Sequence, residues 1–490
     1  MGEIENISET HNDSSSSMTI SLFGPGMTAI HKAGVAGLWM TLRSLERDQH
    51  AKQRLLDAGG FWDLSNTEVS LHWKGKGFFK ALFQESFKID KNGLLWFPAL
   101  GVPTDHPQHS VVLQEALLGS FLQHGRTRKS DSAQTPKGAV TVEIDEIPLI
   151  LKFHKVTQYA NQIAQYDPMS INPVAGWQLP GGAVRHVGLG QHSTALEESP
   201  EGALALRYAP VGAIYFEIRR RGGSIRPHYA LVFPEIVDLK GYARSRETFL
   251  KYGVAQLYAS GTAEAGFRVL TELQAAGLSE DLQSSFCRVF SFGTVPWSKQ
   301  QKTRVDVFTV RAGSQEALRT FTLCRQFFVP RLVRPADADP FWVIPQMPDL
   351  IARNLSAGRQ WWMGFADFLA DEDLRNQVLG YVKDRKSNKV ARMVTGEKGG
   401  LANMVEDTQA LPDGPERIFV QACHQAWRRR LGQLGQRARG ENASFGDLAN
   451  REFERLRVSF SRCKNVASLR AAVTDFWARG GGTLPSIGLR

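Results

Sequence analysis

The sequence predicts an α+β protein with a mixed N-terminal body, a β-rich middle and a C-terminal all-α bundle of about five helices. Two observations support this prediction. Between residues 138 and 235, several short segments alternate apolar and polar side chains, which is the period of half-buried strands. From Met347 to Arg490 the apolar residues instead recur at helical spacing, beginning with Ile351 and Leu355. We therefore expect two regions of different fold class in one chain.

Length and composition define the expected domains. The chain has 490 residues, of which 42% are hydrophobic, enough for roughly two to four globular domains. Residues 1–17 are polar, acidic and Ser-rich, so we expect a disordered tail and no signal peptide. Residues 18–340 form the predicted α+β body, and residues 341–490 form the predicted bundle. No run of about 18 apolar residues occurs, so we expect no membrane span.

The start of the body is predicted to be mostly helical. Residues 27–58 place leucines at helical spacing and are followed by Gly59-Gly60, as a helix end often is. The first half of this helix is rich in Ala and Gly, which allows close packing on a neighbour. The next predicted elements are, in order, a short strand segment (61–73), a helix (77–88), a hairpin around Asn92-Gly93 and an amphipathic helix (110–125).

Strands are predicted to dominate the middle of the body. The segment Ala203–Ala209 is assigned to a strand, and Glu198–Gly202 to a turn. The segment Ala213–Phe233 is assigned to a hairpin whose Gly222-Gly223 pair can adopt the positive φ angles of a tight turn. The remaining elements are a helical stretch (244–277) interrupted near Gly261, two strands (287–297 and 304–312) joined by a basic loop (298–304), and a helix (314–328).

The predicted bundle begins with Pro348, which occupies a plausible first helical position. Ser444 and Asp447 stand three residues apart, close to a capping box that would start a later helix. After the first helix, the bundle is predicted to contain helices at about 372–392, 414–439, 444–462 and 465–479.

Charge favours a polyanionic partner over a plain metabolic enzyme. The net charge is +10 and the pI is about 9.4. From Met347 onward, Lys and Arg number 23 against 16 Asp and Glu, so the bundle holds most of the excess. A solvated polar face is the alternative interpretation of these arginines, and a track for a polyanion is the one that the excess of positive charge favours.

The hairpin turn near residue 220 concentrates positive charge in the body. Arg219, Arg220, Arg221 and Arg226 crowd the end of the predicted hairpin. Mutual repulsion disfavours this crowding unless solvent or an anion relieves it. Two interpretations remain open: a well-solvated turn, or a clamp in which guanidinium groups bind phosphate oxygens in pairs.

No motif for catalysis or metal binding is recognisable. Cys287, Cys324, Cys423 and Cys463 lie far apart, which argues against zinc fingers, iron–sulfur clusters and a disulfide framework, and fits a reducing cytoplasm. The sequence lacks GxxxxGK[ST], HExxH and GxSxG. We therefore expect no enzyme activity, no cofactor and no metal site.

Four segments together resemble a known family: "HKAGVAGLWMTLRSL", "FFKALFQESFKIDKNGLLWFPALG", "ALLGSFLQHGRTRK" and "APVGAIYFEIRRRGG". They are similar to the large subunit of type I CRISPR Cascade complexes, in the myxobacterial and cyanobacterial branch allied to type I-B. The similarity is clearest over residues 20–235. The helical C-terminus is similar in kind to the bundle that ends other Cascade large subunits.

This resemblance implies a function without catalysis. Large subunits contact the region of the guide RNA 5′ handle, recognise the protospacer-adjacent motif in duplex DNA and help to open the duplex, while guide–target pairing reads the sequence. The C-terminal bundle lines the displaced strand and is often also made separately from an internal start, for which Met347 and Met363 are candidates here.

The resemblance also implies partners in a prokaryotic cytoplasm. They are guide RNA, double-stranded target DNA, the backbone, handle-binding and small subunits, and either a helicase-nuclease for defence or transposition proteins. Charge and turn context alone give the candidate nucleic-acid ligands: Arg126, Arg128, Lys129, Trp177, Arg219, Arg220, Arg221, Arg226, Trp297, Lys299, Lys302, Arg304, Arg428, Arg429 and Arg430. The alternatives are an RNA-only ribonucleoprotein scaffold, a general basic nucleic-acid-binding protein and an unrecognised nuclease.

Overall fold

The structure is a computed structural model. It describes residues 15–75, 77–101, 107–121, 137–144, 146–155, 172–173, 186–187, 194–195, 197–219, 228–275, 286–297, 300–333, 340–365, 381–383, 390–392, 397–407, 409–411 and 413–481. Contacts between backbone positions divide the chain into two units, Met1–Leu318 with Pro330–Trp361, and Arg319–Val329 with Trp362–Arg490.

The first unit combines helices with sheets whose described strand pairs are mainly antiparallel, so the chain is α+β, as predicted. The helices are α1 (Ala29–Arg47), α2 (Gln49–Asp57), α3 (Gly77–Ser86), α4 (Pro107–Gly119), α5 (Pro200–Gly212), α6 (Leu239–Leu250), α7 (Thr262–Ala275), α8 (Gln315–Phe327), α9 (Met347–Ser356), α10 (Lys398–Glu406), α11 (Pro415–Gly440), α12 (Phe445–Ser461) and α13 (Val466–Arg479).

The strands are β1 (Ser16–Ser21), β2 (Gly60–Leu64), β3 (Glu68–Trp73), β4 (Lys88–Ile89), β5 (Leu95–Trp96), β6 (Lys137–Ile144), β7 (Ile147–His154), β8 (Asn172–Pro173), β9 (His186–Val187), β10 (Thr194–Ala195), β11 (Glu197–Glu198), β12 (Ile214–Ile218), β13 (His228–Pro234), β14 (Tyr258–Ala259), β15 (Phe286–Trp297), β16 (Gln300–Arg311), β17 (Arg331–Val333), β18 (Phe341–Val343), β19 (Tyr381–Lys383) and β20 (Val390–Arg392).

The closest helix packing in the first unit joins α1 to α5. Gly34 and Gly37 on α1 face the backbone of α5, and Gly212 on α5 faces the backbone of α1. A methyl group at Gly34 would overlap the carbonyl oxygen of Ala205, so no larger residue fits there without moving a helix. The Ala- and Gly-rich half of α1 therefore packs closely on a neighbour, as its composition predicted.

A five-stranded sheet organises the middle of the first unit, in the order β14-β12-β13-β15-β16. The β12–β14 pair is parallel and the other pairs are antiparallel. β12 and β13 are the two strands predicted on either side of the arginine-rich turn. α7 packs on β13 and β15, and α9 packs on α7. A second sheet, in the order β1-β3-β2, covers another face of the buried core around α1.

Three predicted elements are corrected by the structure. Ala203–Ala209 lies in the helix α5, not in a strand. Ser199 caps the first turn of this helix and Pro200 follows the cap. Because α5 is buried on all sides, its sequence lacks the helical periodicity of apolar and polar residues. The predicted basic loop 298–304 is mostly strand, because β16 begins at Gln300. The predicted helix at 372–392 contains the paired strands β19 and β20, whose Tyr381, Val382 and Val390 favour extended backbone.

The described helices of the second unit include α10 and the consecutive helices α11, α12 and α13. Ser444 and Asn465 cap α12 and α13 through their side chains. Trp427 and Phe453 contact each other edge to face between α11 and α12. Gly480, after α13, approaches the backbone of Ala426 too closely for a side chain. Helices α11 to α13 thus form a small helical assembly, whereas α9, predicted to open the bundle, is grouped with the first unit.

Candidate nucleic-acid interface

Arg219 directly follows β12, at the root of the predicted arginine turn. Its Nε donates to Glu217 Oε1 at 2.9 Å, and its guanidinium carbon lies 3.7 Å from the centre of the Tyr258 ring. Its backbone N–H donates to the Ala259 carbonyl at 2.8 Å, and its own carbonyl accepts from Gln346 Nε2 at 3.1 Å. Arg219 is therefore bound to β14 and to the segment before α9.

The surroundings of Arg219 preserve its charge. Burial disfavours the charged guanidinium, but Glu217 and the nearby rings of Tyr258 and Tyr229 outweigh it and raise the pKa of Arg219 above its ordinary value. Burial in turn raises the pKa of the Tyr229 and Tyr258 phenols. The group is a permanently charged arginine in a partly enclosed site, with 36% of its side chain exposed.

Most of the other predicted ligands in the body lie outside the described residues. They are Arg126, Arg128, Lys129, Trp177, Arg220, Arg221, Arg226 and Lys299. Three more, Trp297, Lys302 and Arg304, occupy the strands β15 and β16.

The predicted loop around Lys302 is a two-stranded ribbon. β15 and β16 pair over twelve positions each, from Phe286 with Arg311 to Trp297 with Gln300. β13 pairs with β15 from Cys287 to Phe292. From Gly293 to Trp297, β15 and β16 pair with each other over five further positions, about 17 Å of strand. Lys302 and Arg304 are thus strand positions, paired with Val295 and Gly293, rather than loop positions.

The three arginines predicted on α11 have different surroundings. Arg430 makes a bidentate ion pair with the buried carboxylate of Glu452, at 3.0 and 3.2 Å, which links α11 to α12. Arg428 and Arg429 are exposed; Arg428 lies 3.5 Å from the exposed Glu406, and Arg429 donates to the Gly481 carbonyl at 3.3 Å. Arg428 and Arg429 are accessible to a ligand, while Arg430 is committed to an internal pair.

The arginines of α12 belong to the polyanion track that the sequence predicts for the bundle, although they were not among the individually predicted ligands. Arg451, Arg455 and Arg462 are exposed and have no ion-pair partner within residues 413–481 as described. The intervals between them are four and seven residues, so the three arginines lie along one side of α12. The row extends over about 16 Å and ends just after the C-terminus of the helix. Exposed Arg439, Lys464 and Arg470 likewise lack an ion-pair partner in this described range.

The carboxylates of this region are mostly used by other arginines. Glu441 pairs with Arg437, Glu454 with Arg457 and Asp475 with Arg479, each within one helical turn. The sequence held a sign of this division, because Arg462 has no Asp or Glu three or four residues away on either side. Arg455 has only Glu452 in that range, and Glu452 is bound to Arg430. The lack of an available Asp or Glu at helical spacing would therefore have identified Arg455 and Arg462 as candidate ligands. The clustering of arginines in the sequence is a weaker signal.

No group of three or more His, Cys, Asp or Glu side chains among the described residues is arranged to hold a metal ion. Within those residues, no helix is both long and apolar enough to cross a lipid bilayer.

Comparison with known proteins gives two domain matches and a similar CRISPR-associated protein. Residues 19–207 match the DevT N-terminal domain, and residues 408–487 match the DevT C-terminal domain. The chain is 26% identical to the CRISPR-associated protein Cas8a1/Csx13 of Myxococcus xanthus (strain DK1622), and the alignment covers 95% of this chain and 82% of that protein. The two domain matches fall in the first and second units respectively.

Proposed function

This chain belongs to the family of CRISPR-associated large subunits of Cascade-type complexes, and on that premise we propose that it is a non-catalytic subunit that binds guide RNA and target DNA. Its finer role is recognition of the protospacer-adjacent motif in duplex DNA and stabilisation of the open R-loop. Its partners are guide RNA and the backbone, handle-binding and small subunits. The complex then recruits a helicase-nuclease or transposition proteins.

The observation that most supports nucleic-acid binding is the row of Arg451, Arg455 and Arg462 on α12. Guanidinium groups held in internal ion pairs contribute little to binding a polyanion, because their charge is already compensated. Exposed guanidinium groups without a carboxylate partner remain available for phosphate oxygens. The spacing of one helical turn between Arg451 and Arg455, about 6 Å, is comparable to the distance between successive phosphates of an extended single strand. We assign the displaced strand to this row.

The β15–β16 ribbon is the element that we assign to duplex DNA. A two-stranded ribbon has dimensions that the major groove of B-form DNA accommodates. Between Gly293 and Val305 the sequence contains Lys299, Lys302 and Arg304 and no carboxylate. Trp297 and Gln300 form the last backbone pair of the ribbon, and tryptophan is a residue type that stacks on bases.

The α12 assignment is tested with two triple variants of the full chain. Arg451→Ala, Arg455→Ala and Arg462→Ala remove uncompensated charge, whereas Arg437→Ala, Arg457→Ala and Arg479→Ala remove equal charge from ion pairs. Binding to labelled single-stranded DNA is measured over a range of salt concentrations. We expect the first triple variant to make the slope of log K against log salt shallower by about two, since three phosphate contacts are lost. The second triple variant should change this slope little.

Equal weakening of binding by both triple variants would show that only net charge matters and would contradict the assignment to α12.

The broader function is tested separately, by co-expressing the chain with neighbouring genes and a guide array. Recovery of a complex with guide RNA and repeated subunits is expected. Filter binding to duplexes with varied flanking trinucleotides then distinguishes recognition of an adjacent motif from an RNA-only scaffold, which would ignore the duplex.

A further inference from the structure

The corner between α12 and α13, residues 462–470, is strongly basic. It belongs to a longer stretch, 455–474, that contains Lys and Arg residues but neither Asp nor Glu. Within the corner itself, Arg462, Lys464 and Arg470 are all exposed. Its positive charge is therefore not compensated by any carboxylate of the same stretch.

Hydrogen bonds fix the backbone of this corner. Asn465 Oδ1 accepts from the Ser468 N–H at 2.8 Å, which caps the first turn of α13. Ser468 Oγ accepts in return from the N–H groups of Lys464 and Asn465, each at 3.2 Å. The Arg462 N–H donates to the Val458 carbonyl at 3.3 Å, at the end of α12. The exposed side chains of the corner therefore project from a defined backbone.

α13 has an apolar stripe of which only the second half is buried. Its members follow one another at intervals of three, four and three residues and so share one side of the helix: Val466, Leu469, Val473 and Phe476. Val473 and Phe476 are buried, and the Phe476 ring contacts the Phe460 ring of α12 edge to face. Val466 and Leu469, by contrast, are 64% and 46% exposed. The stripe thus continues from the interior of the helical assembly onto its surface.

The exposed half of the stripe lies beside the cations of the corner. Arg470 stands four residues after Val466 and so belongs to the same side of α13, while Lys464 directly precedes the helix cap. A ligand that fits this surface combines negative charge with apolar area. A single nucleic-acid strand has both, because the faces of its unpaired bases are accessible beside its phosphates. A duplex encloses those faces in its stack and presents mainly phosphates and groove edges.

The corner also continues the row of arginines on α12. Arg462 ends the row and begins the corner, so a strand that follows Arg451 and Arg455 along α12 arrives at Val466. An acidic segment of a protein would satisfy the cations as well. The spacing of the row, which is comparable to that of successive phosphates, favours the nucleic acid.

We propose that Val466 and Leu469 contact the bases of a single strand whose phosphates bind Arg462, Lys464 and Arg470, and that this contact selects single-stranded over duplex DNA. The inference rests on the proposed nucleic-acid-binding function and deepens it, because it names the residues that recognise an unpaired strand. Aliphatic side chains gain free energy by covering apolar area of a base and do not bind phosphate. Their contribution is therefore independent of salt, unlike that of the cations.

Paired substitutions in the full chain test this role. Val466→Ser with Leu469→Ser removes the apolar contact and keeps every charge. Val329→Ser with Leu56→Ser is the matched control, because these residues have the same types, are 55% and 42% exposed and lie outside α12 and α13. Val466→Ile with Leu469→Met is the rescue variant, because it preserves the apolar area. Binding to a labelled thymidine strand and to a labelled duplex of equal length is measured over a salt series, and thermal unfolding verifies that each variant is folded.

The serine variant of the corner should bind the single strand about tenfold more weakly, because apolar area is lost. Its salt slope and its affinity for the duplex should stay at the wild-type values, so its selectivity for the single strand falls by the same factor. The control and rescue variants should bind both probes as the wild type does. Lys464→Ala with Arg470→Ala should instead make the single-strand slope shallower by about 1.4, since each phosphate contact contributes about 0.7.

Two results would overturn the inference. If the serine variant binds the single strand as the wild type does, Val466 and Leu469 do not contact bases, and their exposed face belongs to a protein partner. If the variant weakens binding to both probes equally, the two residues do not select an unpaired strand. Neither result affects the assignment of phosphates to the α12 row, which is read from the salt slope. If the wild-type chain shows no salt-dependent binding to either probe, the proposed function fails, and this inference falls with it.

Discussion

At the scale of single residues, Gln114 on α4 joins two hairpins through one buried amide. Its Oε1 accepts from the Leu95 N–H at 2.6 Å, and its Nε2 donates to the Gly93 and His154 carbonyls at 3.0 and 2.6 Å. The residue is fully buried. One side chain therefore satisfies backbone groups of the β4–β5 hairpin and the β6–β7 hairpin, which have no other described strand beside them there.

Gln114→Leu should destabilise the first unit strongly. Leucine fits the space of glutamine, but it leaves one N–H and two carbonyls of the hairpins without this partner, and unsatisfied buried groups cost about 1–3 kcal/mol each. We expect a loss of about 3 kcal/mol or more in the free energy of unfolding, measured by urea denaturation. Gln53→Leu on α2 is the matched control, since Gln53 is exposed and makes one surface hydrogen bond to Asp57. A loss as large in the control would contradict the role of burial.

Residue identity alone could not assign the roles of the arginines. Arg219, Arg430 and Arg451 look alike in the sequence, because each stands among other basic residues. In the structure Arg219 is held by Glu217 and Tyr258, Arg430 is held by Glu452, and Arg451 is exposed. Whether an arginine is paired or exposed depends on the partners that other helices and strands bring to it and on its position on its own helix. Clustering of charge in the sequence reveals neither.

At the scale of elements, most helices and hairpins followed from periodicity and turn residues. The hairpin around Asn92-Gly93, the helix that begins near Pro348 and the interruption near Gly261 are confirmed. α5 was assigned to a strand because its helical face cannot be recognised when every side is buried. The β15–β16 ribbon was divided by a supposed loop because its lysines and glutamines are not typical strand residues. Both errors arise where tertiary contacts override local preference.

The α1–α5 pair provides the prediction at this scale. Gly34→Ala should separate the two helices, because the new methyl group would overlap the Ala205 carbonyl, which belongs to a helix backbone and cannot rotate away. We expect a loss of about 1–3 kcal/mol or more in the free energy of unfolding. Gly432→Ala on α11 is the matched control, because its methyl group would meet no atom within 4 Å. Removing a helical glycine there should instead stabilise α11 by up to about 1 kcal/mol.

Chemical denaturation followed by circular dichroism measures both glycine variants. If Gly34→Ala unfolds at the wild-type denaturant concentration, the close packing of α1 on α5 is not required for stability. A stabilised Gly432→Ala variant beside a destabilised Gly34→Ala variant would show that space, rather than helix propensity, decides the outcome at Gly34.

At the scale of the whole molecule, the sequence predicted two regions and an excess of positive charge in the second. The composition also predicted helices there, and α10 to α13 are the described examples. Composition could not locate the point at which the first unit ends. Because α9 follows the Pro-rich connector and is helical, its periodicity grouped it with the later helices. In the structure its contacts with α7 group it with the body. Long-range packing decides this point, and a single sequence does not display it.

This grouping distinguishes the two methionines at which a separate bundle could begin. Met347 is fully buried, and Ile351 and Leu355 follow it on the face of α9 that the body covers. Met363 is 48% exposed and directly follows Trp362, where the longer segment of the second unit begins. A fragment 347–490 therefore exposes the apolar face of α9 that the body covers in the full chain, and exposed apolar faces cause self-association. A fragment 363–490 lacks that helix.

We therefore expect the fragment 363–490 to be the better behaved of the two, and Met363 to be the internal start if one is used. Size-exclusion chromatography with light scattering should show fragment 347–490 as larger species at concentrations where fragment 363–490 remains smaller. Replacing Ile351 and Leu355 by Ser in the longer fragment should reduce its association, which identifies α9 as the cause. If both fragments associate equally, the uncovered surface lies elsewhere. The contact of Gly400 with Phe328 is then the next surface to test, because both fragments lack Phe328.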